Sequence, residues 1–314
     1  MDRSLVKCLN QLFMNEKVKG NIAMGISKIL SGLNENALKF LVPRWMSPFS
    51  GVVLRLVFGS AAFWVSGLIA RKSQKQATVK QKLSLFVMGA ILIFGYMFFL
   101  LAGLKYTTPV TSSIFISLQP AIVFIISAIF LGEQVTKMKI IGIALGIAGA
   151  TVCVTTQHTS SVSSDPTLGA FLCFCSALSY SLFLIFSKKF LLTLDDITVS
   201  KWSFTGGAFS ALIATIFVGW DAPVLAQSIF STPMLVLLFV LIFPTFISYL
   251  LVDTGLKTLA TTVVALYSNL ILVVAAIVSY ILGQDIFSWW QLLAIALIIC
   301  SVYFTEKAEN KSNI

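Results

Sequence analysis

Ten apolar segments, each about as long as a bilayer-spanning helix, occupy most of this 314-residue sequence and are separated by short gaps. They lie at residues 20–42, 47–70, 83–104, 108–131, 139–156, 167–189, 196–218, 233–256, 260–282 and 290–305. Helices of about 17–25 residues fit a hydrocarbon core roughly 30 Å thick. A hydrophobic fraction of 58% excludes an ordinary soluble domain. The sequence therefore predicts an all-α integral membrane protein with ten transmembrane helices.

Positive charge is distributed unevenly between the gaps. Of the 22 Lys and Arg residues, sixteen lie in alternate gaps or tails, two in the other gaps and four inside apolar segments. Cytoplasmic loops collect Lys and Arg, so we predict that both termini are cytoplasmic. Segment 20–42 is charged, but omitting it would place the basic amino-terminal tail outside. The net charge of +10 then reflects topology and contact with anionic membrane lipid, not nucleic acid.

The two halves of the chain resemble each other at a slowly drifting offset. The matched positions are Arg55 with Lys201, 103–105 with 255–257, and 131–133 with 282–284. Each half has five segments, and because five is odd the second copy must be inverted relative to the first. Inverted repeats place a binding site near the midplane and alternate its access between the two faces.

The repeat gives the predicted domain organisation. It comprises a cytoplasmic amphipathic segment (1–19), a first five-helix repeat (20–156), a non-cytoplasmic linker (157–166), a second inverted five-helix repeat (167–305) and a cytoplasmic tail (306–314). No gap has room for a soluble catalytic domain, so we expect no enzyme activity.

Charged residues inside the segments are the first candidates for function, because burying a charge in a bilayer is costly. Glu35 is a candidate for binding substrate or a proton, and Arg55, at a similar depth, can pair with it or bind an anionic group. Lys28, Lys39, Lys201 and Asp253 are candidates for gating or ion coupling. The alternatives are a packing pair of Glu35 with Lys39, snorkelling of Lys201 to the interface, and an interfacial pair of Asp253 with Lys257.

Neutral polar and aromatic residues at mid-membrane depth are the second group of candidates. Pro120 frees a backbone carbonyl and predicts a helix break in the fourth segment. The proposed substrate-binding residues besides Glu35 and Arg55 are Tyr96, Ser117, Gln119, Tyr180, Trp202, Tyr267 and Asn269. The alternative for the Ser and Asn side chains is hydrogen bonding between helices.

Four sequence features carry a resemblance to a known family. The stretch 103–108, its spacing to Pro120, the Arg at position 55 and the Leu-Gly-Glu at 131–133 resemble the drug/metabolite transporter superfamily, and within it the EamA-type transporters. The resemblance extends from about residue 20 to the end, and it implies ten spans in two inverted repeats. The second repeat differs from the family pattern. Ile271 stands where the family has a proline, and Gly283-Gln284 stands where it has Gly-Glu.

The function that the resemblance implies is secondary transport of a small metabolite, often outward. We expect an amino acid or a related amphipathic compound as cargo, with exchange of an organic anion or phosphorylated metabolite as the alternative and a receptor or scaffold as the non-transport alternative. The five cysteines and single His show no metal-site spacing, so no metal or cofactor is expected. The protein is expected in a bacterial cell membrane, as a monomer or homodimer, with a proton as a possible coupling ion.

Overall fold

The computed structural model describes residues 3–42, 44–70, 76–131, 137–156, 165–259, 261–284 and 288–312, and these contain helices and no strand. The α-helices are α1 (Arg3–Leu41), α2 (Pro48–Ile69), α3 (Val79–Met88), α4 (Phe94–Tyr106), α5 (Pro109–Ile116), α6 (Gln119–Leu131), α7 (Lys137–Thr156), α8 (Pro166–Leu191), α9 (Asp196–Val218), α10 (Thr232–Val240), α11 (Ser248–Thr258), α12 (Thr261–Leu266), α13 (Ser268–Ile281) and α14 (Trp289–Ser312). A short 3₁₀ turn spans Pro223–Ala226.

Several of these helices join end to end. A π-helical turn at Gly89–Ile93 links α3 to α4, and another at Leu241–Ile247 links α10 to α11. Only Ser117 and Leu118 separate α5 from α6, and only Tyr267 separates α12 from α13. Over the described residues, seven helical stretches are long and apolar enough to cross a membrane. The chain is thus an all-helical, multi-span membrane protein, while the count of ten spans and the side of the termini stay predictions.

Local sequence signals set where the helices begin. The side chains of Ser47, Thr108, Asp165 and Asp195 each accept a hydrogen bond from the backbone N–H three residues later. Such caps satisfy N–H groups that have no partner within the helix. A proline follows three of these caps at the first helical position, where its missing N–H costs nothing.

The structure displays the internal repeat in its irregular elements. The π-turns start at Gly89 and Leu241, 152 residues apart. Each is followed by an interrupted helix, at Ser117–Leu118 in the first half and at Tyr267 in the second. Pro120 lies in the first turn of α6, just after the first interruption, whereas the second interruption forms without a proline.

Close packing between the halves depends on two glycines. A Cβ on Gly89 would collide with the backbone of Ser203 on α9, and a Cβ on Gly206 would collide with Phe86 O on α3. The α9 backbone therefore lies directly against the α3 end of the first π-turn. Helix α2 packs on α9, α1 on α11 and α13, α4 on α8, and α7 on α14.

Two helices run across the predicted domain limits. Helix α1 runs from Arg3 through residue 19 without interruption, and α14 continues past residue 306 to Ser312. Most of the predicted linker, residues 157–164, lies outside the described residues.

Candidate functional site

A group of polar and aromatic side chains is buried inside the bundle and forms the candidate site. We call it the central cluster; it consists of Lys28, Glu35, Arg55, Tyr96, Tyr180, Tyr249 and Asp253. Apart from the partly buried Tyr96, every member is at most 6% exposed. Helices α1, α2 and α4 of the first half and α8 and α11 of the second contribute these residues, so the cluster lies between the repeats.

Arg55 is held from α2 by the second π-turn. Its Nε donates to Thr245 Oγ1 at 2.9 Å, and Thr245 Oγ1 donates to Val240 O at 2.8 Å. The guanidinium also interacts electrostatically with Glu35 and Tyr96. Its Nη1 is buried and has no hydrogen-bond partner. Arg55 is therefore oriented by Thr245 and by a hydrogen bond with Tyr96, while its Nη1 remains available to an acceptor.

Glu35 and Asp253 provide two buried carboxylates on different helices. Glu35 Oε2 accepts from Ser112 Oγ on α5 at 2.8 Å. Asp253 Oδ2 accepts from Ser200 Oγ on α9, and its Oδ1 has no partner. Lys257 forms an ion pair with Asp196 and also interacts electrostatically with Asp253, so the alternative pairing of Asp253 with Lys257 stays a prediction.

Three tyrosines connect the charged members of the cluster. The ring centroids of Tyr96 and Tyr180 are 4.6 Å apart, and those of Tyr180 and Tyr249 are 6.4 Å apart. Lys28 Nζ lies 5.2 Å from the centroid of the Tyr180 ring, a cation–π distance. The Tyr249 hydroxyl is buried without a partner. The three rings thus pack against one another, with Lys28 against the Tyr180 ring.

The two interrupted helices meet through their neutral polar residues. Ser268 Oγ donates to Gln119 Oε1 across the two interruptions. Ser117 Oγ donates to Ser113 O at 2.8 Å, and Asn269 Nδ2 donates to Leu266 O at 2.6 Å. The Ser268–Gln119 bond joins the two repeats, whereas the bonds of Ser117 and Asn269 satisfy backbone carbonyls three or four residues earlier in their own half.

Four predicted site residues that lie away from the central cluster are Trp202, Lys201, Tyr267 and Lys39. Trp202 packs edge-on against Trp64, with ring centroids 5.8 Å apart, and Lys201 Nζ lies 4.8 Å from the Trp64 ring centroid. Trp64 is 40% exposed, so Trp202 and Lys201 lie near the surface, and the roles of Trp202 in substrate binding and of Lys201 in gating stay predictions. Tyr267 donates from its hydroxyl to Asn21 Oδ1 at 2.9 Å. Lys39 donates to Leu104 O and Thr107 O at the end of α4.

The sequence interpretation missed four residues that complete the cluster. They are Ser112, Ser200, Thr245 and Tyr249. Tyr249 precedes Asp253 by four residues and so shares its helix face, which is the one signal that could have identified it. Over the described residues, no group of three or more His, Cys, Asp or Glu side chains could hold a metal ion.

Comparisons with known proteins agree with this architecture. The model of the EamA-like transporter family matches residues 18–155 and again 167–306. The uncharacterized transporter YyaM of Bacillus subtilis is 25% identical over 279 residues, covering 87% of this chain and 89% of its own length. YetK, another uncharacterized transporter of that bacterium, is 22% identical over 306 residues, covering 96% of this chain and 90% of its own.

Two further similarities are more distant or partial. A WAT1-related protein of Arabidopsis thaliana is 27% identical over 141 residues, which cover 45% of this chain and 33% of its own length. A crystal structure described only as that of a protein superposes with a TM-score of 0.64 at 20% identity, covering 90% of this chain and 98% of that one. At that identity the superposition supports the fold alone.

Proposed function

The chain belongs to the EamA-like transporter family, and from that premise we propose that this membrane transporter moves a small amphipathic metabolite, an amino acid or a related compound, by alternating access. The two family matches cover both halves of the chain and correspond to the repeats that the sequence predicts. Inverted repeats enclose a shared site that each side exposes in turn. The outward direction of net transport is part of the proposal and follows the family resemblance.

The observation that supports this cargo is the set of unpartnered polar atoms in the central cluster. Arg55 Nη1 is a charged donor, and Asp253 Oδ1 is an acceptor on another helix. A buried polar atom without a partner is costly, so such atoms are expected to bind something. A carboxylate suits Arg55, an ammonium group suits Asp253, and the tyrosines between them suit an apolar portion.

Exchange of an organic anion is the second candidate, favoured by one observation. Lys28 and Arg55 are both only 1% exposed, and two buried cations can attract an anion. Glu35 and Asp253 lie in the same cluster and balance this charge. Because the cluster holds both signs, we prefer a cargo that carries both signs.

Thermal stability of the purified protein against a cargo panel distinguishes the two candidates. The panel holds neutral and cationic amino acids, nucleosides and phosphorylated sugars. A ligand at 100 times its dissociation constant adds about 2.7 kcal/mol to the free energy of unfolding. We expect an amino acid to stabilise the protein and the Asp253→Asn variant to lose that response. Stabilisation by phosphorylated sugars alone would instead assign anion exchange.

Glu35 is the proposed site of the coupling proton. If Glu35 takes up and releases a proton in each cycle, replacing it by glutamine is expected to make the transport rate nearly independent of pH. The Ser112 hydroxyl can donate to a glutamine side-chain oxygen as it does to Glu35, so the packing is preserved. The measurement is the initial rate in proteoliposomes from pH 5.5 to 8.5.

The matched control is Glu16→Gln, because Glu16 is exposed and pairs only locally with Lys19. A Glu35→Gln variant with the rate and pH profile of the unmodified protein would rule out Glu35 as the site of the coupling proton.

A further inference from the structure

Lys39 of the first repeat is bound to the carboxyl end of α4. Its Nζ donates to Leu104 O at 2.8 Å and to Thr107 O at 2.6 Å. The last carbonyls of a helix have no partner within it, and a cation there also opposes the negative end of the helix dipole. Helix α5 begins at Pro109, directly after this point. One lysine of α1 thus fixes the junction between α4 and α5; we call this the first latch.

Lys188 of the second repeat makes the same pair of bonds at the end of α11. Its Nζ donates to Leu256 O and, at 2.7 Å, to Leu259 O. Lys188 follows Lys39 by 149 residues, and both acceptors follow their counterparts by 152 residues. Helix α12 begins at Thr261, so this contact, the second latch, fixes the junction between α11 and α12.

The packing around the two latches is duplicated as well. A Cβ on Gly103 of α4 would lie 2.7 Å from Cys173 Sγ of α8, and a Cβ on Gly255 of α11 would collide with Met24 Sδ of α1. Met24 and Cys173 are 149 residues apart, the same interval that separates the two lysines. Both sulfur-bearing side chains are fully buried. The same contact is therefore built twice from equivalent positions in each half.

We propose that Lys39 and Lys188 are gate-positioning residues, each holding one end of the bundle closed and releasing it when that end opens. Because the second repeat is inverted, the two latches belong to opposite faces of the membrane. The hydrogen bonds of both latches are formed in this structure, and the central cluster is buried in the same conformation. The residues that follow the latched ends, Thr107 and Leu259, are extended and non-helical, so each junction can act as a hinge.

This inference rests on the proposed alternating access but on no particular cargo. The test follows two cysteine reporters. The native Cys173 lies beside the first latch, and the substitution Met24→Cys introduces a reporter beside the second. The four native cysteines other than Cys173 are replaced by serine. The rate at which a water-soluble maleimide labels each reporter in the purified full-length protein measures the opening of that end.

We expect opposite effects from the two lysines. Lys39→Met is expected to speed labelling at Cys173 about tenfold and to leave the reporter at position 24 unchanged or slower, since two charge-assisted hydrogen bonds are lost. Lys188→Met is expected to do the reverse. Lys39→Arg and Lys188→Arg keep charged donors and should return labelling toward the unmodified rate.

Exposed neighbouring lysines provide matched controls. Lys105→Met lies near the first latch and Lys189→Met beside the second, and both lysines are exposed, so neither change should alter labelling. A purely structural role would make both reporters react faster in either variant, and that outcome overturns the proposal. Unchanged labelling in folded Lys39→Met and Lys188→Met proteins also overturns it.

Two additions keep the test decisive. If a methionine variant does not give monodisperse protein, Lys39→Gln or Lys188→Gln removes the charge but keeps a polar group, and the same opposite pattern is required. The proposed function is checked separately by adding a stabilising ligand to the unmodified protein. If that ligand changes labelling at the two reporters in opposite directions but the lysine variants do not, alternating access stands and the latches are disproved.

Discussion

Replacing Arg55 by glutamine is expected to reduce transport about 100-fold, because the proposed cargo site loses a buried charged donor. Arg55 Nη1 is a charged donor in the central cluster without a hydrogen-bond partner, whereas its Nε is already bound to Thr245. Glutamine can retain a bond to Thr245 but supplies no positive charge opposite Glu35. The variant should therefore fold, yet lose both cargo affinity and rate.

The measurement is cargo flux into proteoliposomes at equal reconstituted protein, together with the stability panel. Arg44→Gln is the control, since Arg44 is exposed and its guanidinium lies 5.3 Å from the Trp45 ring centroid, outside the cluster. Arg55→Lys is expected to fall between the two, because an ammonium keeps the charge but not the planar geometry. Full transport by folded Arg55→Gln protein would remove Arg55 from the proposed site.

Gly206→Val is expected to prevent folding or to lower the free energy of unfolding by about 3 kcal/mol, at the upper end of the range for overpacking. The first atom of any side chain there would meet Phe86 O, a backbone atom that cannot move away as a flexible side chain can. Gly89 makes the reciprocal contact with Ser203, so relief would require the whole α3–α9 interface to separate.

The measurement is the yield of monodisperse protein and its thermal midpoint. Gly25→Ala is the matched control, because a Cβ there meets nothing within 4 Å. Alanine in a helix interior is favoured over glycine by about 0.5–1 kcal/mol, so this control should be neutral or slightly more stable. A Gly206→Val protein with the yield and midpoint of the control would show that the α3 and α9 backbones are not in direct contact.

Hydropathy and charge predicted the class of this fold because both can be followed along the sequence without knowing how the helices pack. The all-helical membrane architecture, the two-repeat layout and the family resemblance are confirmed. The π-turns were not predicted, since one extra residue in a helical turn scarcely changes an apolar pattern. Yet the second π-turn presents Thr245 to Arg55, so this missed element positions a central residue.

The candidate site was only partly predictable for a related reason. Sequence position gives the depth of a residue in the bilayer, but its direction depends on how the helix is rotated by its neighbours. Arg55 and Lys201 are equivalent by repeat, yet Arg55 points into the cluster and Lys201 lies over Trp64 near the surface. Tyr249 shares a helix face with Asp253, but the sequence does not show whether that face is turned toward Tyr180 or toward lipid.

The two halves of the chain contribute different side chains to the central cluster, although their helices repeat. The first half supplies Lys28, Glu35, Arg55 and Tyr96, and the second supplies Tyr180, Tyr249 and Asp253. A cargo bound between Arg55 and Asp253 would therefore keep one orientation throughout the transport cycle. One end of the cargo would face the opening on one side of the membrane, and its other end would face the opening on the opposite side. Loading and release can then differ in affinity between the faces. Microscopic reversibility nevertheless forbids this asymmetry alone from driving accumulation, so uphill movement requires a second gradient.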